Sequence, residues 1–128
     1  MNYTESLQYL DELNVFGMNL GLGRIKKLLE LMGNPQNEYK TVHVTGTNGK
    51  GSVTCMLTEI LKKSGIKVGM FTSPHLDSYT ERVIINGEEI SQDKLAAAIT
   101  VVSDLCDFMV GEGDEHPTQF EVLTAAAF

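Results

Sequence analysis

With 128 residues, 42% of them hydrophobic and 21% charged, the chain is long enough to bury a core, and its ordinary globular composition excludes a disordered or fibrous protein. Ten basic against seventeen acidic side chains leave a net charge of −7, which argues against a nucleic-acid or anionic-membrane surface, and no stretch approaches the roughly 18 apolar residues of a membrane span. Two cysteines, Cys55 and Cys106, match no zinc or redox spacing and read as reduced packing residues of a cytoplasmic protein.

In chain order, Thr4 can cap a first helix carrying Leu7, Leu10 and Leu13, and residues 14–23 read as a loop. Ile25, Leu28, Leu29 and Met32 form the stripe of a second helix, stopped by Gly33 and Pro35. Val42 and Val44 alternate with more polar neighbours as in a strand over residues 41–45. Val53, Met56, Leu57, Ile60 and Leu61 then take the spacing of a buried helix that Ser64-Gly65 closes. Residues 67–71 are a second apolar strand, so the unit predicts two parallel strands joined by a right-handed crossover.

Val83, Ile84 and Ile85 lead into Asn86-Gly87 and then Glu88-Glu89-Ile90, a two-residue hairpin projecting from that sheet. Ser91 can cap a long helix bearing Leu95, Ala98, Ile99, Val102, Leu105 and Met109, which runs to Gly111; residues 111–117 read as an acidic, flexible connection. Thr118-x-x-Glu121 is a capping box that opens a last helix. That helix stops at Phe128 without a cap or a charged final turn, and the expectation is a fragment of a larger α/β domain. Lys26-Lys27 and Lys62-Lys63 fall late in helices and read as solvated faces.

The segment Gly46-Thr47-Asn48-Gly49-Lys50-Gly51-Ser52 lies between the first strand and its helix. Backbone N–H groups of such a turn, with the first orphan N–H groups of the helix, converge on one concavity and suit an anionic phosphate. Lys50 adds a mobile positive charge for β/γ-phosphates, and Ser52 a hydroxyl for Mg²⁺. The general phosphate-loop pattern has four residues between its glycines and the hydroxyl directly after the lysine; here Gly46 and Gly49 are separated by two, and Gly51 precedes Ser52.

That spacing, together with Thr72-Ser73-Pro74-His75-Leu76, Glu81-Arg82-Val83 and Thr118-Gln119-Phe120-Glu121, resembles the start of the folylpolyglutamate and dihydrofolate synthases of the Mur ligase superfamily. Leu20-Gly21-Leu22-Gly23-Arg24-Ile25 and Gly33-Asn34-Pro35 resemble the family's amino-terminal helical region. The resemblance implies an α/β fold, a partial phosphate-loop NTPase-type parallel sheet with flanking helices and one β-hairpin. Residues 1–128 would be the amino-terminal part of an ATP-binding domain, with residues 1–36 a helical lead-in and 41–128 an incomplete nucleotide-binding core.

It further implies ATP and Mg²⁺ as cofactors, with Ser73 a metal ligand beside Ser52 and the family's remaining ligands, a glutamate and a histidine, in sequence beyond Phe128. Leu20, His75, Thr118 and Phe120 become substrate contacts, an aromatic face at Phe120 being suited to stacking on a flat heterocycle. For Thr118 the capping box is an equally sufficient reason, and Ser73-Pro74-His75 also suits an ordinary tight loop. His43, alternating with Val42 and Val44, reads as packed or hydrogen-bonded, and His43, His75 and His116 have no local metal-ligand spacing. The expected function is ATP-dependent addition of L-glutamate to folate, to dihydropteroate or to both through an acyl phosphate. The complete enzyme would be monomeric, and the fragment alone inactive and self-associating. Alternatives are another Mur-type amide ligase, or a nucleotide-binding module or small-molecule kinase that makes no amide bond.

Overall fold

The computed structural model describes residues 1–17, 21–46, 48–73 and 77–128. Its contacts divide the chain into two units, one of Met1–Lys40 with Gln92–Phe128 and one of Thr41–Ser91.

The first unit is helical. Helix α1, Tyr3–Glu12, is capped by Asn2 and not by Thr4: Asn2 Oδ1 accepts the Glu5 N–H at 2.8 Å and Glu5 Oε2 accepts the Asn2 N–H at 3.2 Å. Both side chains answer orphan donors of the first turn, which a threonine already inside the helix could not do. Leu10 and Leu13 are buried and Leu7 half-buried; a short 3-10 turn, Leu13–Phe16, follows where a loop is expected. Helix α2, Gly23–Leu31, buries Leu28 and Leu29. It ends as its sequence predicts, with Gly33 at φ +86° and the Asn34 N–H returning to the Leu29 carbonyl at 2.8 Å, the bond of a Schellman cap.

Helix α4, Gln92–Gly111, supplies the central face of this unit through Leu95, Ile99, Val102, Cys106 and Met109. Helix α5, Gln119–Ala127, packs against it with Val122, Leu123 and Ala125. The connection between α4 and α5, expected to be flexible, is tied down. Lys27 pairs with Asp114, Arg24 Nη1 lies 3.5 Å from Glu115, and Pro117 is fully buried. Lys27 is therefore an ion-pair partner and not simply part of a solvated face.

The second unit holds helix α3, Lys50–Lys63, and a three-stranded antiparallel sheet of β1, Gly69–Phe71, β2, Val83–Ile85, and β3, Glu88–Glu89, in that order. Register places Gly69 opposite Ile85 and Phe71 opposite Val83. The hairpin turn is as expected: Asn86 and Gly87 have φ of +50° and +85°, both positive as a type I′ turn requires. Asn86 also fixes the entry to β1, its N–H donating to the Val68 carbonyl at 2.8 Å and its Oδ1 accepting the Val68 N–H at 2.9 Å.

Helices and sheet together keep the α/β class, but two expectations need correction. Residues 41–46 form no strand among the described residues, and Val42 is 67% exposed, so the parallel pair is not made and the hairpin does not project from a parallel sheet. A parallel pair is slightly weaker per residue and closes only through a long crossover, whereas β2 pairs antiparallel with β1 and, across the Asn86-Gly87 turn, with β3. The apolar stripe of α3 is likewise not buried throughout. Thr58 is buried, its Oγ1 against the Met70 sulfur at 3.5 Å, and Leu57 and Leu61 are half-buried. Val53, Met56 and Ile60 stay 48%, 59% and 61% exposed. Cys55 is exposed on the same helix and so is no packing residue, whereas Cys106 is. His43, expected to be packed or bonded, is exposed.

Candidate phosphate site

The sequence of residues 46–52 makes a helix entrance whose N-cap, Gly49, has no side chain to close it. Gly46 stands at φ +147° and Gly49 at φ +75°, in the left-handed region that only glycine adopts at no steric cost. Gly49 is the N-cap of α3, and no side chain hydrogen-bonds to the cap. The first intrahelical bond runs from the Val53 N–H to the Gly49 carbonyl at 2.9 Å. The N–H groups of Lys50, Gly51 and Ser52 therefore precede the helical ladder, and point outward at the positive end of a 14-residue helix. A Cβ added at Gly49 or Gly51 would meet nothing within 4 Å. The glycines thus serve backbone conformation and leave the space before the helix open, as an approaching anion needs. Asn48, Lys50 and Ser52 are exposed around it.

Ser73 is exposed one residue beyond Thr72, whose N–H donates to the Arg82 carbonyl at 2.9 Å. The site groups Gly46, Asn48, Gly49, Lys50, Gly51, Ser52 and Ser73 in the second unit. Thr47, Leu20 and His75 lie outside the described residues. Thr118 and Phe120 belong to the first unit.

Thr118 is buried as the N-cap of α5: its Oγ1 accepts the Glu121 N–H at 3.3 Å, while Glu121 Oε1 accepts the Thr118 N–H at 2.9 Å and the Arg24 Nε–H at 3.0 Å. Its hydroxyl is thereby engaged in the fold. Phe120, two residues further on, is 56% exposed.

Two features escaped the sequence reading. Arg24–Glu121 joins residues 97 positions apart, which no local pattern signals. Ser78-Tyr79-Thr80-Glu81 is a second capping box, with the same Ser/Thr-x-x-Glu spacing that identified Thr118, and it was legible in principle.

For a metal, the described residues contain no group of three or more His, Cys, Asp or Glu side chains. The donors here are the neutral hydroxyls of Ser52 and Ser73. Mg²⁺ keeps several waters and takes phosphate oxygens with only one or two protein oxygens, so this donor set fits a magnesium–nucleotide complex and does not fit a free transition metal. No helix among the described residues is long and apolar enough to cross a membrane.

No family model matches the chain. Among curated proteins it is 37% identical over 113 residues to the dihydrofolate synthase/folylpolyglutamate synthase of Bacillus subtilis, a match covering 88% of this chain and 26% of that protein. Among solved structures it superposes on the folylpolyglutamate synthetase of Lactobacillus casei with a TM-score of 0.91 and 37% identity, covering 99% of this chain and 32% of that one. It superposes on a folylpolyglutamate synthase solved with AMPPCP and folate at TM-score 0.88 and 36% identity, covering 99% and 31%. The chain thus spans about a third or less of the length of the relatives it matches. In sequence and in fold, it belongs to the folylpolyglutamate synthase/dihydrofolate synthase family and corresponds to the amino-terminal part of those enzymes.

Proposed function

We propose that residues 1–128 are the amino-terminal part of the ATP-binding domain of a ligase that adds L-glutamate to folate, to dihydropteroate or to both, with Mg²⁺. The observation that carries this reading is the uncapped, glycine-entered start of α3 with Lys50 and Ser52 exposed beside it. It is supported by the likeness to a synthase solved with AMPPCP and folate.

Joining a carboxylate to an amine in water is uphill, so the reaction needs a better leaving group on the carboxyl carbon. Transfer of the γ-phosphoryl of ATP supplies it: the substrate carboxylate oxygen bonds to phosphorus, the bond from phosphorus to the β-phosphate oxygen breaks, and ADP leaves. The glutamate amine then attacks the acyl phosphate, giving the amide and inorganic phosphate. Phosphoryl transfer is mainly a matter of positioning and charge neutralisation. The N–H groups of Lys50, Gly51 and Ser52 hold phosphate oxygens, and the Lys50 ammonium offsets the negative charge on the β/γ-phosphates. Ser52 and Ser73 hold Mg²⁺, which when bound neutralises phosphate charge. Phe120 and Leu20, with His75 and Thr118, are assigned to the pterin-bearing substrate, Phe120 by stacking. The complete enzyme acts as a monomer in the cytoplasm.

The test is to incubate the complete gene product with ATP, radiolabelled glutamate and either dihydropteroate or a reduced folate. Glutamyl amide with stoichiometric ADP and phosphate is expected. AMP and pyrophosphate would exclude the acyl-phosphate route, and a phosphorylated small molecule without amide would identify a kinase.

A further inference from the structure

The first turn of α5 is tied to α1 and to α2 by direct contacts within the helical unit. One oxygen, Glu121 Oε1, accepts both the Thr118 N–H at 2.9 Å and the Arg24 Nε–H at 3.0 Å. The Arg24 and Glu121 side chains are only 13% and 10% exposed. Arg24 Nη1 also lies 3.5 Å from Glu115, just ahead of the turn, and Gln119 Nε2 donates to the Leu10 carbonyl in α1 at 2.8 Å. Thr118 and Glu121 are buried and Gln119 half-buried, while Phe120 between them stays 56% exposed.

A capping box needs only Thr118 and Glu121, so Arg24 is not required to start the helix. What it adds is a charge-assisted bond to a largely desolvated carboxylate, which fixes that carboxylate in one position and ties α2 to the turn. A buried carboxylate left without its cation is costly. It would be relieved by turning towards water, and the Thr118 N–H and the direction of the turn would change with it.

We propose that Arg24 is a positioning residue for the pterin-bearing substrate: through Glu121 it fixes the turn that carries Phe120, and so sets the plane on which a flat heterocycle stacks. The inference rests on the reading of Phe120 as a substrate contact. Arg24 acts only through Glu121 and does not touch the substrate. Lysine does not replace it, because a point charge lacks the planar fork that serves Glu121 through Nε and Glu115 through Nη1.

The experiment compares Phe120→Ala, Arg24→Lys, Glu121→Gln and the Arg24→Lys/Phe120→Ala double variant in the complete gene product. The KM for dihydropteroate or a reduced folate, the KM for ATP and kcat are read separately. Phe120→Ala should raise the pterin KM. Arg24→Lys should raise it about tenfold, within the roughly hundredfold that a displacement of about 1 Å can cost, and leave the ATP KM and kcat at saturating pterin unchanged. The double variant should be no worse than Phe120→Ala, since both changes act on one contact. Glu121→Gln keeps an oxygen for the Thr118 N–H but gives up the charge; it should show a smaller rise of the same kind, and carries the test if Arg24→Lys does not fold. A raised pterin KM in Phe120→Ala, with none in Arg24→Lys and Glu121→Gln, overturns the role of Arg24 and leaves the pterin reading standing. Losses that fall equally on the ATP KM and kcat, or that add in the double variant, make Arg24 a support of the fold alone and overturn the inference as well. An unchanged pterin KM in Phe120→Ala overturns the pterin reading and, with it, this inference.

Discussion

Lys50 occupies the first position of α3 and is exposed. Its removal should therefore separate function from stability. Lys50→Ala in the complete enzyme is expected to lower turnover by about a hundredfold or more, the scale of losing one charge-stabilising group, and to move the melting temperature hardly at all. Near-normal turnover would end the assignment of residues 46–52 as a phosphate site. The two cysteines make the opposite contrast. Cys106 is fully buried beside Tyr9; burial pushes its thiol up to about 12, against the smaller lowering effect of the Tyr9 hydrogen bond. Burial also raises the Tyr9 hydroxyl. In the unfolded chain a thiol of ordinary pKa, 9.0, releases its proton while the folded Cys106 keeps it. Stability should accordingly fall as the pH rises from about 9 towards about 12. A thiol reagent at pH 8 should modify Cys55, which is exposed, and leave Cys106 untouched until denaturant is added. Labelling of both thiols in the native state would contradict the packing of α1 on α4.

At the scale of elements, the hairpin shows where local chemistry decides structure. Gly87 has φ +85°, and an added Cβ would also lie 2.6 Å from Lys62 Nζ. The lysine end is flexible and can swing aside, so the backbone strain dominates. Gly87→Ala is expected to cost about 1 kcal/mol or somewhat more, and adding Lys62→Ala should recover only a small part of it. Chemical denaturation of the single and double variants checks this, and full recovery in the double variant would show that contact with Lys62, not φ, sets the requirement for glycine.

The same hairpin, the Gly33 cap and the Thr118 box were legible in the sequence because each depends on residues no more than five apart. The proposed phosphate segment stands out in the sequence for that reason too: its glycines, lysine and serine lie within residues 46–52. What was not legible depends on distant partners. Whether residues 41–45 pair, which face of α3 is covered, and how Arg24 comes to meet Glu121 are set by tertiary context. An apolar stripe states only that a helix has a face to bury, not what lies against it.

For the whole chain, the exposed side of α3 and the composition of the site lead to a joint expectation. Val53, Met56 and Ile60 recur at i, i+3 and i+7 on one face and are all about half or more exposed, a contiguous apolar stripe of the kind that associates in water. The site offers a metal two hydroxyls and, among the described residues, no cluster of carboxylates or histidines. The chain spans about a third or less of its relatives. Residues 1–128 in isolation are thus expected to bind ATP weakly through the start of α3 but to incorporate no glutamate, because metal, carboxylate and amine cannot all be held in reacting geometry. They should also self-associate through α3. Met56→Glu with Ile60→Lys places opposite charges four residues apart on that exposed face, which an isolated helix tolerates well, and should return the chain to a monomer without loss of helicity. Sedimentation of both proteins, run beside a glutamate-incorporation assay and ATP titration, decides the matter. A wild-type monomer at high concentration would show that the stripe is not sticky enough to matter, and measurable glutamylation would show that the residues described here suffice for the chemistry.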